Sequence, residues 1–281
     1  MRSSSLNTHS VSTPPASTSV VTEGTSSNKT VLVLGGAGVL AAALVGYGML
    51  TPDPASIPVA SCGLIVDVTH SVDTDHIDAE LVASVVEACA VHDGGGTLTA
   101  VAVGSGPSKV ASIGTFDLTG GDSSNPTTRE VRRHRAAEAA TQELADTIAG
   151  MPHAAGPSDL VGALAVLANQ LPTSTTSTTI TLLTDGLQAT SSLTVEDLVG
   201  ESDVAELVTA ALELETIELQ GVVVNLVGVN SGQFRGEQLG RAFEVRLQAF
   251  WTSVVEAAGG CVATYAPELV AELSDSCAVA S

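Results

Sequence analysis

At 281 residues the chain is long enough for one ordinary domain plus accessory segments. A net charge of −21 repels nucleic acid phosphates and anionic lipid, so nucleic acid is set aside as a partner. Hydrophobic residues make up 44% of the chain but aromatic ones only 2%. A core must therefore come from Val, Leu, Ile and Ala, which suits a buried parallel sheet.

Residues 1–30 are rich in Ser, Thr and Val and have no usable periodicity. They bury too little to offset ordering entropy, so disorder is expected there. Residues 31–50 then run twenty positions without a charge. A helix of that length spans about 30 Å, the thickness of the bilayer's hydrocarbon core. Thr51-Pro52-Asp53-Pro54 stops the run. The expectation is one transmembrane helix over 31–50 acting as an uncleaved signal anchor, a linker over 51–60, and a folded domain over 61–281.

The same stretch spells Gly35-x-x-Gly38-x-x-Ala41 after a strand-like run, mimicking a dinucleotide-binding fingerprint. A helix in that setting needs a polar face, and residues 39–50 offer only Tyr47. The membrane reading is therefore preferred. Gly38, Ala42 and Gly46 make a small-residue stripe that permits close helix pairing in lipid, although Ala- and Gly-rich anchors carry such stripes without pairing. Arg2, Lys29 and the amino terminus precede the run and Asp53 follows it. Positive-inside logic puts the N-terminus in the cytoplasm and the domain outside. Val59-Ala60-Ser61-Cys62 spells a lipobox, but it lies beyond the apolar run and Cys62 opens a strand. A cleaved secretory signal is disfavoured because the leading region is long and barely basic.

Within the domain, apolar runs and 3.6-residue periodicity alternate. Strands are expected at 62–68, 97–103, 111–118 (a short strand placed at an antiparallel edge), 180–184, 221–227 and 261–265. Helices are expected at 75–91, 128–149, 159–170, 204–214 and 237–258. The hydroxyl of Ser158 is expected to cap the third of these helices. Such alternation implies a doubly wound α/β fold, a mostly parallel sheet with helices on both faces. Four of the eight arginines, Arg129, Arg132, Arg133 and Arg135, cluster at the start of one helix. They read as a solvated face in preference to a grip on an acidic partner or phosphate.

Three short polar patches fall at strand or helix boundaries. They are Asp67-Val68-Thr69-His70-Ser71, Gly156-Pro157-Ser158-Asp159 and Leu183-Thr184-Asp185-Gly186. The first and third follow β-branched apolar runs, so both sit where a strand gives way to its loop. Carboxylates and hydroxyls converging there make a site for a hard divalent cation. His70 reads as an exposed loop residue in preference to a pH sensor.

The order of these patches resembles the von Willebrand factor A (vWA) family, in which they form a metal-ion-dependent adhesion site. Asp67-x-Thr69-x-Ser71 is similar to its Asp-x-Ser-x-Ser signature, with Thr69 where Ser is commoner. Gly156-Pro157-Ser158-Asp159-Leu160-Val161-Gly162-Ala163-Leu164 is similar to Gly-Gly-Thr-x-x-x-x-Ala-Leu, with Pro for Gly and Ser for Thr. The resemblance covers roughly 61–266. It implies a metal site of Asp67, Thr69, Ser71, Ser158 and Asp185, holding Mg²⁺ (or Mn²⁺ or Ca²⁺). It also implies a protein ligand whose acidic side chain completes the metal's shell. Asp159 is a candidate extra acid or a charge that favours the helix N-terminus.

The four cysteines bear on compartment. Cys62 opens the first strand and Cys89 ends the helix that returns to the same sheet end. Cys261 opens the last strand and Cys277 follows an expected short C-terminal helix running back. That topology pairs Cys62 with Cys89 and Cys261 with Cys277, which suits an oxidising compartment; buried free thiols are the alternative. No zinc spacing, Gly-x-Ser-x-Gly elbow or Walker A sequence occurs. A phosphoaspartyl enzyme would want an acid where Thr69 stands. The expectation is a non-enzymatic, membrane-anchored, extracytoplasmic binding domain. The alternatives are a metal-free interaction scaffold and, behind it, a metal-dependent hydrolase.

Overall fold

The computed structural model describes residues 59–69, 79–92, 94–104, 110–152, 158–172, 177–188, 193–194, 203–229, 233–234, 237–238, 240–266 and 273–277. All of them belong to the unit Ala55–Ser281. The expected transmembrane segment, 31–50, lies outside the described residues, as do Ser71, His70, Gly156 and Pro157. No helix among the described residues is long and apolar enough to cross a membrane.

The strands of the main sheet are β1 (Ala60–Asp67), β2 (Gly96–Val103), β3 (Val110–Asp117), β4 (Thr178–Leu183), β5 (Val222–Val227) and β8 (Cys261–Ala266). Their order is β3-β2-β1-β4-β5-β8, all parallel except β3, which pairs antiparallel with β2 at the edge. Five longer helices are α1 (Ala79–Ala90), α2 (Pro126–Ala149), α3 (Leu160–Gln170), α4 (Val204–Leu214) and α5 (Arg241–Ala257).

Both faces of the central strands β1, β2, β4 and β5 are buried, and strand alternation splits the apolar side chains between two cores. Leu64 and Val66 of β1 join Leu98, Ala100 and Ala102 of β2 under α1 and α2. Ile65 of β1 joins Val101 and Val103 of β2 under α3, and the same core runs on to α4 and α5. Near-continuous Val/Ile/Leu runs are what a two-sided sheet requires, so the strands were legible from composition alone. With aromatics scarce, Phe250 and Trp251 of α5 are the largest fully buried side chains, packed edge to face 5.3 Å apart.

Three boundaries depart from expectation. Helix α2 starts at Pro126 and not at 128: Asn125 Oδ1 accepts from the N–H groups of Thr127 and Thr128, and Pro126 has no N–H to leave unpaired. The expected helix 237–258 starts only at Arg241. Before it, β6 (Gln233–Phe234) pairs antiparallel with β7 (Glu237–Gln238), and Gly240 sits in extended backbone at the helix N-cap. The short C-terminal helix expected before Cys277 does not reach 273–277, which run without helix, and 267–272 lie outside the described residues.

The cysteine pairing is as the topology implied. Cys62 bonds Cys89 and Cys261 bonds Cys277, with Cα–Cα distances of 6.0 and 6.1 Å. In the arginine cluster Arg132 and Arg135 are exposed, and Arg133 turns inward to donate to the His92 carbonyl at 2.9 Å.

Candidate metal centre

The strand order reverses between β1 and β4: the chain winds outward through β2 and β3, then returns to build β4, β5 and β8 on the other side. The carboxyl ends of β1 and β4 lie side by side at this switch point, the usual ligand position in doubly wound sheets. Asp67 is the last residue of β1, and Thr184 and Asp185 directly follow β4. Ser158 stands two residues before α3.

These residues form one buried, hydrogen-bonded group. Asp67 Oδ1 accepts from the Thr69 N–H at 3.0 Å, the Thr69 hydroxyl at 2.7 Å and the Ser158 hydroxyl at 3.3 Å. The Thr69 and Ser158 hydroxyl oxygens lie 2.8 Å apart, although 89 residues separate them in sequence. On its other side, Asp67 Oδ2 accepts from the Thr184 hydroxyl at 2.9 Å, and that hydroxyl accepts in turn from the Gly186 N–H at 3.0 Å. Asp185 Oδ1 accepts from the Leu187 N–H at 2.9 Å. Asp67, Thr69, Ser158, Thr184 and Asp185 are all buried.

The electrostatics follow from that burial. Among the described residues, the hydrogen-bond partners of Asp67 are all neutral donors. Desolvation therefore pushes its carboxyl above the ordinary value of 3.8, while the bonds from Thr69, Thr184 and Ser158 pull it back down. A buried carboxylate held only by neutral donors is a place where a cation gains more than it would in water.

Ser158 does not cap α3, contrary to expectation. Asp159 is the N-cap, its Oδ1 accepting from the Gly162 N–H at 3.0 Å. The first two helical N–H groups, of Leu160 and Val161, donate to Gln188 Oε1 at 2.7 and 3.0 Å. The Ser158 hydroxyl is thereby left to Asp67 and Thr69. Asp159 Oδ1 is engaged with the helix start and with Gln188.

Of the five residues expected at the site, Asp67, Thr69 and Ser158 are joined by hydrogen bonds. Asp185 is buried on the loop whose Thr184 binds Asp67, and Ser71 lies outside the described residues. Sequence reasoning missed Thr184 and Gln188. Thr184 had a visible signal, a hydroxyl next to Asp185-Gly186 at a strand end. Gln188 had none, because its partners lie 27 to 29 residues away.

The turn itself is built on glycine and tryptophan. Gly186 has φ +77°, and a Cβ there would stand 2.8 Å from Val229 Cγ1. Trp251, the single tryptophan of the chain, donates its indole N–H to the Gly186 carbonyl at 3.0 Å. An antiparallel edge strand, the switch point between β1 and β4 and an Asp-Thr-Ser-Asp cluster across it define the architecture. The arrangement resembles that of vWA domains.

No protein-family model matches the chain, and no curated protein matches it. Solved structures similar to it include an aerotolerance-related membrane protein from Bacteroides fragilis, at 10% identity over 73% of this chain and 91% of that one, with a TM-score of 0.34. A manganese-loaded Plasmodium vivax TRAP protein is similar at 12% identity over 74% and 70%, with a TM-score of 0.38. Proximal thread matrix protein 1 from the mussel byssus is similar at 14% identity over 72% and 48%, so this chain spans about half its length, with a TM-score of 0.34.

The donor set of the vWA-like domain fits a hard divalent cation. It is all oxygen, from two carboxylates and several hydroxyls, and suits Mg²⁺, Mn²⁺ or Ca²⁺. No group of three or more His, Cys, Asp or Glu side chains arranged for a metal occurs among the described residues. Any ion here would therefore depend on hydroxyls and water as much as on charge.

Proposed function

We propose that this vWA-like domain binds a partner protein through a divalent cation, Mg²⁺ or Mn²⁺, held by Asp67, Thr69, Ser71, Ser158 and Asp185. The observation that supports this most directly is the 2.8 Å contact of the Thr69 and Ser158 hydroxyls beside a buried carboxylate, with Thr69 donating to Asp67 and the Ser158 proton shared between Thr69 and Asp67. A hydroxyl that spends its proton on Asp67 keeps its lone pairs for a cation. Neutral hydroxyls leave the ion's charge incompletely neutralised, and Mg²⁺ retains water in its octahedral shell. A carboxylate from a partner displaces such water and completes the shell. That reading makes the domain a receptor for an acidic side chain and gives it no turnover of its own.

We place the domain outside the cytoplasm, anchored by residues 31–50. The two disulfides support an oxidising compartment. Protease digestion of intact against lysed cells tests this: cleavage of the domain in intact cells is expected, and protection until lysis contradicts it.

One observation favours a metal-free scaffold instead: both oxygens of Asp67 already have donors within the protein. Calorimetric titration of Mg²⁺ and Mn²⁺ into the wild type and Asp67→Ala separates the two readings. Saturable heat lost in the variant supports the metal receptor. Absence of heat in both supports the scaffold.

A further inference from the structure

We propose that Gln188 is the positioning residue of this centre, tying the loop that carries Asp185 to the loop that carries Ser158; the inference rests on the metal-binding reading above. Gln188 is 0% exposed and its side-chain amide is used at both ends. Oε1 accepts from the Leu160 and Val161 N–H groups, and Nε2 donates to Asp159 Oδ1 at 3.2 Å. Its backbone forms a parallel bridge with Ser158, and its own N–H donates to the Gly186 carbonyl at 3.0 Å. That carbonyl also receives the Trp251 indole. A continuous set of contacts thus runs from the Asp185 turn through Gln188 to the first turn of α3 and Ser158.

The arrangement solves a competition. The first N–H groups of a helix need acceptors, and a serine just before the helix is a preferred donor of that service. Among the helical N–H groups, Asp159 accepts from that of Gly162. Gln188 supplies the oxygen for Leu160 and Val161, so the Ser158 hydroxyl is released to Asp67 and Thr69. Without that oxygen, two buried N–H groups lose their partner, and Ser158 becomes the nearest hydroxyl able to serve them. Its withdrawal removes a ligand oxygen from the centre.

The test is calorimetric titration of Mn²⁺ into the full chain, the Gln188→Leu variant and the Gln188→Glu variant, with amide exchange at Leu160 and Val161 followed in each. Gln188→Leu abolishes the acceptor and is expected to weaken Mn²⁺ binding about tenfold or more, the usual cost of losing a group that orients a metal ligand. Gln188→Glu keeps an acceptor oxygen for Leu160 and Val161 but loses the donor to Asp159, so it is expected to keep those two amides protected and to recover part of that loss. Wild-type Mn²⁺ affinity in both variants, even with a lowered melting temperature, reduces Gln188 to a structural residue and overturns the proposal. If the wild type takes up no Mn²⁺, it is the metal reading that fails. Exchange then judges the tie alone, and unchanged exchange at Leu160 and Val161 in Gln188→Leu overturns it.

Discussion

Two Asp-x-Thr turns close strands at different places in this domain, and they are built alike. In Asp67-Val68-Thr69 the carboxylate accepts from the Thr69 N–H and hydroxyl at 3.0 and 2.7 Å. In Asp117-Leu118-Thr119 the distances are 2.9 and 2.7 Å. The first stands at the switch point, where Ser158 and Thr184 reach the same carboxylate and water is excluded. The second ends the edge strand β3, with its bonds exposed to solvent. Local sequence makes the turn; only the neighbouring loops make a site of it. A motif of this kind acquires chemistry from burial and from a second and third loop, not from its own spacing.

Breaking each turn in parallel gives the largest contrast. Asp67→Ala is expected to abolish Mg²⁺ and Mn²⁺ binding, while Asp117→Ala leaves it unchanged, as read by calorimetry. Saturating Mg²⁺ should also raise the thermal midpoint of the wild type, by the equivalent of about 2.7 kcal/mol at a hundredfold excess over Kd, and leave Asp67→Ala where it was. Equal loss in the two alanine variants would erase the distinction between the turns.

Glycines sharpen the comparison next. Each hydroxyl in the pair Thr184 and Thr119 accepts from a glycine N–H two residues on, of Gly186 and Gly121. Both glycines have positive φ, +77° and +71°. A Cβ at Gly186 would press on Val229 at 2.8 Å, whereas one at Gly121 meets nothing within 4 Å. Gly121→Ala should therefore cost only the backbone term, about 1–2 kcal/mol. Gly186→Ala should cost more, because overpacking adds roughly another 1–3 kcal/mol. Chemical denaturation of the two variants measures the difference.

Hydroxyl removal is the finer probe. Thr184→Val leaves a buried amide N–H and a buried carboxylate oxygen without their partner, at about 1–3 kcal/mol. Thr119→Val exposes the same groups to water and should fall within about 0.5 kcal/mol of wild type.

The smallest effect has a definite sign. Because burial raises the Asp67 carboxyl above 3.8, the folded state holds that proton more tightly than the unfolded chain. The stability this group contributes is complete below 3.8 and is lost as pH rises through the raised folded value. In chelator, Asp67→Asn should lack that loss, and so be as stable as wild type or more so at neutral pH. Titrating the melting temperature from acid to neutral pH in both proteins checks it.

The sheet was legible because both its faces are buried: runs such as Leu64-Ile65-Val66 and Val222-Val223-Val224 admit few other readings. Two of the site's loops were legible because Asp67 and Asp185 close such runs, and the third because Ser158 stands just before a helical pattern. What escaped was decided at a distance. Ser158 looked like a helix cap because its rival, Gln188, is thirty positions away in the chain and only the fold brings it to Leu160 and Val161. Residues 237–238 carried a helical pattern, yet they pair with 233–234 and the helix waits for Gly240. Local periodicity lost there to a pairing it does not encode.

The proposed cation would lie beside the Asp185-Gly186 turn. The most direct test uses the single tryptophan, whose indole N–H donates to the Gly186 carbonyl and gives one assignable resonance. In a ¹⁵N-labelled sample, Mn²⁺ should broaden that resonance saturably in the wild type, Mg²⁺ should compete the broadening away, and Asp67→Ala should show neither. An indole resonance untouched by Mn²⁺, or broadened equally in Asp67→Ala, would contradict a metal at this site.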